Sequence, residues 1–137
     1  MNFEECLKQG SVKKLPVDRF RSKSLIKSGL EAIKTAKRIK LQEKTSKTIL
    51  REIYEGFREY IEATGFLKGY KFLDHLSITY FLKDILKEKR IAYFFDRYRK
   101  IRNGINYYGN DLNLETVNEL LTNIDLIRKK LEKHTKL

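Results

Sequence analysis

The segment Tyr98-Arg99-Lys100-Ile101-Arg102-Asn103-Gly104-Ile105-Asn106-Tyr107-Tyr108-Gly109 closes a run in which Ile91, Phe94, Phe95, Tyr98, Ile101 and Ile105 recur at three- and four-residue spacing. That period marks one buried face of an α-helix. Arg102 falls one turn past Tyr98 and one turn before Ile105, so its stem runs along the apolar stripe. Burying a guanidinium without a partner is expensive. Either the charge snorkels to water beyond its stem, or it is held for a partner such as a phosphate or a carboxylate. At about 100° per residue, Arg102 stacks over Asn106 and Asn103 over Tyr107, which gathers polar groups on one side of two successive turns. Gly104 lies on that side as well, leaving room for a second backbone or a ligand at a cost of roughly 1 kcal/mol in helix propensity.

Outward from this helix, Gly109-Asn110-Asp111 ends it and Asn113 caps a last helix with the inner stripe Val117, Leu120, Leu121, Ile124, Ile127 and Leu131. Upstream, a helix is predicted over Tyr70 to Lys87. Its second half is apolar nearly all round through Ile78, Tyr80, Phe81, Leu82, Ile85 and Leu86, as in an enclosed element or one covered by another subunit. Before it, Thr45 or Ser46 caps a helix that runs to Thr64, with Gly65 as its left-handed stop. Ile49, Ile53, Phe57, Tyr60 and Ile61 face inward there, and Arg51, Glu55, Arg58 and Glu62 alternate along a solvent-facing row. Glu52 and Glu59 occupy another edge, from which they could answer Arg102.

A further helix is predicted from Asp18 to Leu41. Its inner face, Leu25, Ile26, Gly29, Ala32, Ile33, Ala36 and Ile39, is flat enough for a neighbour to approach closely. Asn2 to Gln9 forms a short helix ended by Gly10, and Pro16 prevents helix from running through the basic connector. No strand pattern is evident. Long helices joined by short turns predict an all-α chain, a single domain over 1–137, arranged as an antiparallel four-helix up-and-down bundle with a short extra N-terminal helix.

Composition narrows the function. The chain of 137 residues is long enough to bury roughly two thirds of its unfolded surface. Its net charge of +12 is uneven: residues 1–48 carry 13 Lys or Arg against 5 Asp or Glu, and the rest carry 17 against 13. Such an excess attracts polyanions, whether nucleic acid, an acidic protein or an anionic surface. Lys23, Lys27, Lys34 and Arg38 form a row opposite the flat face of the early helix, which makes them the candidate phosphate-facing stripe. A solvated lysine face gives the same pattern, and no aromatic residue is interleaved for base stacking.

The single cysteine, Cys6, excludes an internal disulfide, and with two histidines it cannot complete a four-ligand zinc site. Neither metal nor other cofactor is expected. A charged N-terminus and the lack of an apolar run near 20 residues lead to the expectation of a cytoplasmic chain without membrane contact. There is no Gly-rich phosphate loop, His-Glu-x-x-His, serine elbow or Asp-rich metal loop. His75 falls inside the predicted third helix, where a structural hydrogen-bonding role is the ordinary reading. His134 sits near the C-terminal end.

Arg102-Asn103-Gly104-Ile105-Asn106-Tyr107, on the penultimate helix of a small bundle and followed by an amphipathic last helix, resembles the HEPN superfamily and its Arg-Asn-x-x-x-His motif. The likeness in spacing spans essentially the whole chain, including the early helix and Gly69-Tyr70-Lys71-Phe72-Leu73-Asp74-His75. It implies a bundle of a kind that commonly dimerises with its motif helices face to face, whose active members are metal-independent endoribonucleases, many serving as toxins beside a small nucleotidyltransferase antitoxin in a toxin-antitoxin module. In that chemistry Arg102 would stabilise charge on the scissile phosphate, Asn103 would orient the site, and the family histidine would act on the 2′-hydroxyl.

Here the histidine position is Tyr107, a poor base at neutral pH though still a hydrogen-bond donor. Phosphate binding is less affected than cleavage. The resemblance therefore favours an RNA- or nucleotide-binding protein partnered with a nucleotidyltransferase, with Lys23, Lys27, Lys34, Arg38, Arg102 and Asn106 contacting the nucleic acid. A ribonuclease using Arg102, Asn103, Tyr107 and, as a substitute base, His75 is the alternative. A non-catalytic module whose basic helix meets an acidic protein is the third. Gly104, the polar cluster and the apolar third helix together predict a homodimer about the Arg102 helices.

Overall fold

In the computed structural model, which describes residues 1–136, helix dominates. The first helix, α1 (Phe3–Gln9), starts where Asn2 accepts a hydrogen bond from the Glu5 N–H at 2.9 Å. It stops at Gly10, whose φ of +81° is the left-handed conformation that favours glycine. The chain then forms a short strand, β1 (Val12–Lys14). Asp18 caps α2 (Arg19–Lys37), which ends a few residues before the predicted Leu41. A 3-10 turn, Glu43–Thr45, is capped by Gln42 and leads into α3 (Ser46–Leu67).

This central helix runs past the predicted stop. Gly65 is helical, and its missing Cβ lets the Phe72 ring lie against it, where a Cβ would come within 2.5 Å of Cε2. The left-handed residue is Gly69, with φ +81°.

The expected helix over Tyr70–Lys87 is replaced by several shorter elements. Tyr70–Phe72 forms β2, antiparallel to β1, with Val12 opposite Phe72 and Lys14 opposite Tyr70. After a turn come α4 (Leu76–Tyr80) and a π-helical turn, Phe81–Ile85. Three-residue strands are too short to display an alternating pattern, and here they are specified by pairing across nearly sixty residues of sequence. The apolar stretch needs no second subunit to cover it. Ile78, Phe81 and Leu82 are fully buried within the chain, and Asp84 on the π turn accepts the Phe3 N–H at 2.8 Å, pinning α1.

Beyond Glu88, α5 (Lys89–Tyr108) ends at Gly109 with φ +64°, and Asn113 caps α6 (Leu114–Leu131), which is followed by a 3-10 turn, Glu132–Thr135. The long helices pack around α3. Against α2, Ser22 Oγ donates to the Ala63 carbonyl at 2.8 Å while Gly29 meets Gly56, so the two run antiparallel. Against α5, Tyr54 stacks on Phe95 at 5.4 Å and Phe57 meets Phe94 and Phe95 edge-on. Arg128 of α6 lies over the Tyr60 ring. Each fully buried large apolar side chain here contributes about 1.5–3 kcal/mol over its exposed state, which explains why one helix with apolar residues on several faces organises the rest. No helix among the described residues is long and apolar enough to cross a membrane.

Candidate functional site

Arg102, Asn103 and Tyr107 of α5 line a pocket of about 380 Å³ together with Arg99, with Asp74 and His75 from the turn before α4, and with Leu76 at its start. Arg102 is half-buried. Its Nη1 donates to Asn103 Oδ1 at 3.1 Å, and its Cζ lies 5.5 Å from the centroid of the Tyr54 ring. The stem therefore does run along the core, and the head is held by an amide oxygen and an aromatic face. Among the described residues no carboxylate pairs with it, and Glu52 is exposed, so the expected answer from Glu52 or Glu59 is corrected. A guanidinium held this way keeps N–H donors for an anion.

Two other expectations fall at this helix. Asn106 is drawn away from Arg102: its Oδ1 accepts from Arg51 Nε at 2.8 Å, and it lies outside the pocket lining. The space over Gly104 is filled by the chain itself, since a Cβ there would approach Asn110 Nδ2 to 2.7 Å, and the Asn110 N–H donates to the Gly104 carbonyl. A ligand or second backbone reaches Gly104 only when the exposed Asn110 side chain swings aside. Tyr107, 72% exposed, stands at the rim.

His75 is the residue that tertiary structure brings in. It precedes α4 rather than sitting mid-helix, because the Asp74 carboxylate accepts the Ser77 N–H at 2.8 Å and starts the helix there. Its Nδ1 is 2.8 Å from Tyr54 Oη, which fixes the ring and leaves Nε2 as the nitrogen available to a ligand. Burial pushes the His75 pKa down to about 4, helped by the nearby Arg58 and Arg102 cations, so the ring is neutral at pH 7. Burial likewise holds the Tyr54 phenol well above its usual value despite Arg102, and it stays protonated. The imidazole's one proton can sit on either nitrogen. With Nδ1–H donating to Tyr54, Nε2 is free to accept a proton.

Arg58 also belongs to this neighbourhood. Its spacing predicts a place in a solvent-facing row, yet its side chain is 17% exposed and pairs with Glu55 and Glu62. Arg99 is anchored to Asp96 at 2.8 Å. The pocket thus holds Arg99, compensated by Asp96, and Arg102, which has no ion pair, together with the Asp74 carboxylate; the nearby Arg58 is compensated by Glu55 and Glu62. Sequence reasoning missed Tyr54, Arg58, Arg99 and Asp74. Only Tyr54 left a trace, as part of a second apolar row with Leu50, Phe57 and Ile61.

The basic row is separate. Lys23, Lys27, Lys34 and Arg38 are all exposed, with Arg38 at the C-cap of α2, and none lines the Arg102 pocket. His134 approaches Glu88 at 3.8 Å, away from the site. No family model, curated protein or solved structure matches the chain.

Proposed function

We propose that the chain is a HEPN-like protein that binds RNA or nucleotide phosphates, with α2, α3, α5 and α6 as an up-and-down four-helix bundle and a nucleotidyltransferase-like protein as its partner. The observation that carries this reading is the uncompensated Arg102 guanidinium, oriented by Asn103 and Tyr54 and opening into a pocket shared with Arg99 and His75. A phosphate seated there meets a fixed fork and a neutral imidazole, and the row Lys23, Lys27, Lys34 and Arg38 adds long-range attraction. The test is binding of a fluorescent single-stranded RNA by anisotropy across a salt series. Arg102→Ala weakens binding about tenfold, the loss of a charged hydrogen bond. Charge reversal at Lys27 and Lys34 lowers the salt slope by about 0.7 for each phosphate that is no longer neutralised. Affinity unchanged in Arg102→Ala, with a slope unmoved by the reversals, rejects the reading.

A second reading, metal-independent cleavage, is favoured by one observation: His75 shares the pocket with Arg102 although Tyr107 replaces the motif histidine. His75 Nε2 takes the 2′-hydroxyl proton, the 2′-oxygen attacks phosphorus, and the bond to the 5′-oxygen breaks as that oxygen takes a proton from water. Arg102 meets the charge that builds on the phosphoryl oxygens. Product formation in the presence of a chelator is abolished by Arg102→Ala and by His75→Ala and is raised by Tyr107→His. Cleavage that survives Arg102→Ala places the chemistry elsewhere.

The homodimer is retained on the position of the Arg102 helix alone, because Gly104 is filled by Asn110 and the apolar segment before α5 is covered internally. Light scattering that reports a monomer at micromolar concentration ends that proposal.

A further inference from the structure

The middle of α5 is tied to the first half of α6, where Arg97 pairs with Glu119 at 2.7 Å and Tyr98 Oη donates to the Thr116 carbonyl at 3.3 Å. Beyond that tie a groove of about 660 Å³ opens between them, on different residues from the Arg102 pocket. Its apolar surface comes from Ile91, Phe94, Leu126 and Ile127, with Tyr93 on the edge; Tyr93 is 75% and Leu126 57% exposed. Around it stand Lys87, Lys89, Arg90 and Lys130, all exposed and none ion-paired among the described residues. The groove's own carboxylates are engaged, Glu119 by Arg97 and Glu88 by Lys133 at 3.4 Å.

From this charge pattern we infer that the groove docks an acidic amphipathic segment of a partner protein, a short helix with aliphatic side chains on one face and Glu or Asp on its flanks. Residues 89–97 of α5 offer a trough of about 13 Å, two and a half helical turns. Aliphatic anchors bury apolar area on the floor while carboxylates meet the four free cations at the rim. A second copy is disfavoured as occupant because a chain of net charge +12 would bring another set of rim cations against these. A nucleic acid carries phosphates but no aliphatic side chains for Ile91, Leu126 and Ile127.

The probe is a fluorescein-labelled 14-residue peptide of Glu with Leu at positions i, i+3, i+4 and i+7 repeats, beside a counterpart with Lys in place of Glu. The full chain binds the acidic peptide and not the basic one, with amide shift changes concentrated at Tyr93, Phe94, Leu126 and Ile127. Leu126→Asp and the double reversal Lys89→Glu with Lys130→Glu each weaken binding tenfold or more. Lys13→Glu with Lys14→Glu, the same charge change on exposed β1 positions, leaves it unchanged. Thermal melts confirm that each variant folds. The inference is overturned by absent binding, by binding indifferent to Leu126→Asp, or by equal loss in the β1 double variant. Dimerisation abolished by Leu126→Asp, or an RNA oligomer whose shifts fall on the groove, overturns it as well.

Discussion

The α2–α3 seam and the α5–α6 pair are built in opposite ways. At the seam, Gly29 and Gly56 let the backbones touch, and a Cβ on either glycine would come within 2.5 Å of the other's carbonyl oxygen. Between α5 and α6 the links are long side chains, Arg97 to Glu119 and Tyr98 to the Thr116 carbonyl. Helices held at backbone contact leave no volume for a ligand. Helices held at arm's length leave a groove on one flank of α5, while the turn before α4 encloses the Arg102 pocket on another. The tight half supports the fold, and the open half carries both candidate sites.

The largest effect expected from breaking this contrast is at the seam. Gly56→Ala places a methyl against a backbone carbonyl that cannot move aside alone, and overpacking of this kind costs about 2–3 kcal/mol after the gain in helix propensity. A urea midpoint unchanged in Gly56→Ala would mean that α2 separates from α3 freely. The matched change in the open half, Arg102→Ala, costs less, about 1 kcal/mol in the same titration, because it removes stem packing, one amide hydrogen bond and a ring contact but no ion pair.

The next effect is electrostatic. The folded chain keeps His75 neutral down to about pH 4, whereas an unfolded histidine protonates near pH 6.5. Between these values the unfolded chain binds more protons, so this contribution to stability is full above about pH 6.5 and is lost as the pH falls towards 4. Melting temperature measured across that window falls with acidification, and the His75→Gln variant shows a shallower fall. Because Arg102 is one of the cations that depress His75, Arg102→Ala raises the His75 pKa. A histidine NMR titration that shows no rise would separate the two residues and with them the pocket.

The smallest effect concerns the turn into the open half. Lys87 is the one non-glycine residue with positive φ among those described, at +59°. It follows the π turn at a position where glycine carries no steric penalty. Lys87→Gly stabilises the chain by about 1 kcal/mol, the relief of a left-handed conformation. No gain in the unfolding midpoint would show that the strain is compensated by contacts of the lysine stem.

Local periodicity made the helices around Ile33, Ile53, Phe95 and Ile124 legible from sequence, since a 3.6-residue apolar recurrence is a property of the chain alone. So was the placement of Arg102 on a buried stripe. The same sequence left β1 and β2 invisible and suggested a continuous helix over Tyr70–Lys87, because pairing Val12 with Phe72 and seating Phe72 on Gly65 are decisions made across the fold. It also placed Asn106 beside Arg102, where α3 instead supplied Arg51 as its partner. The site divides the same way: Arg102, Asn103 and Tyr107 come from one helix and were readable together, whereas His75 and Tyr54 join them only because a turn and a second helix converge there. Spacing along a chain specifies which side chains share a face. Packing between elements determines what that face meets, and so which side chains share a pocket with the Arg102 guanidinium.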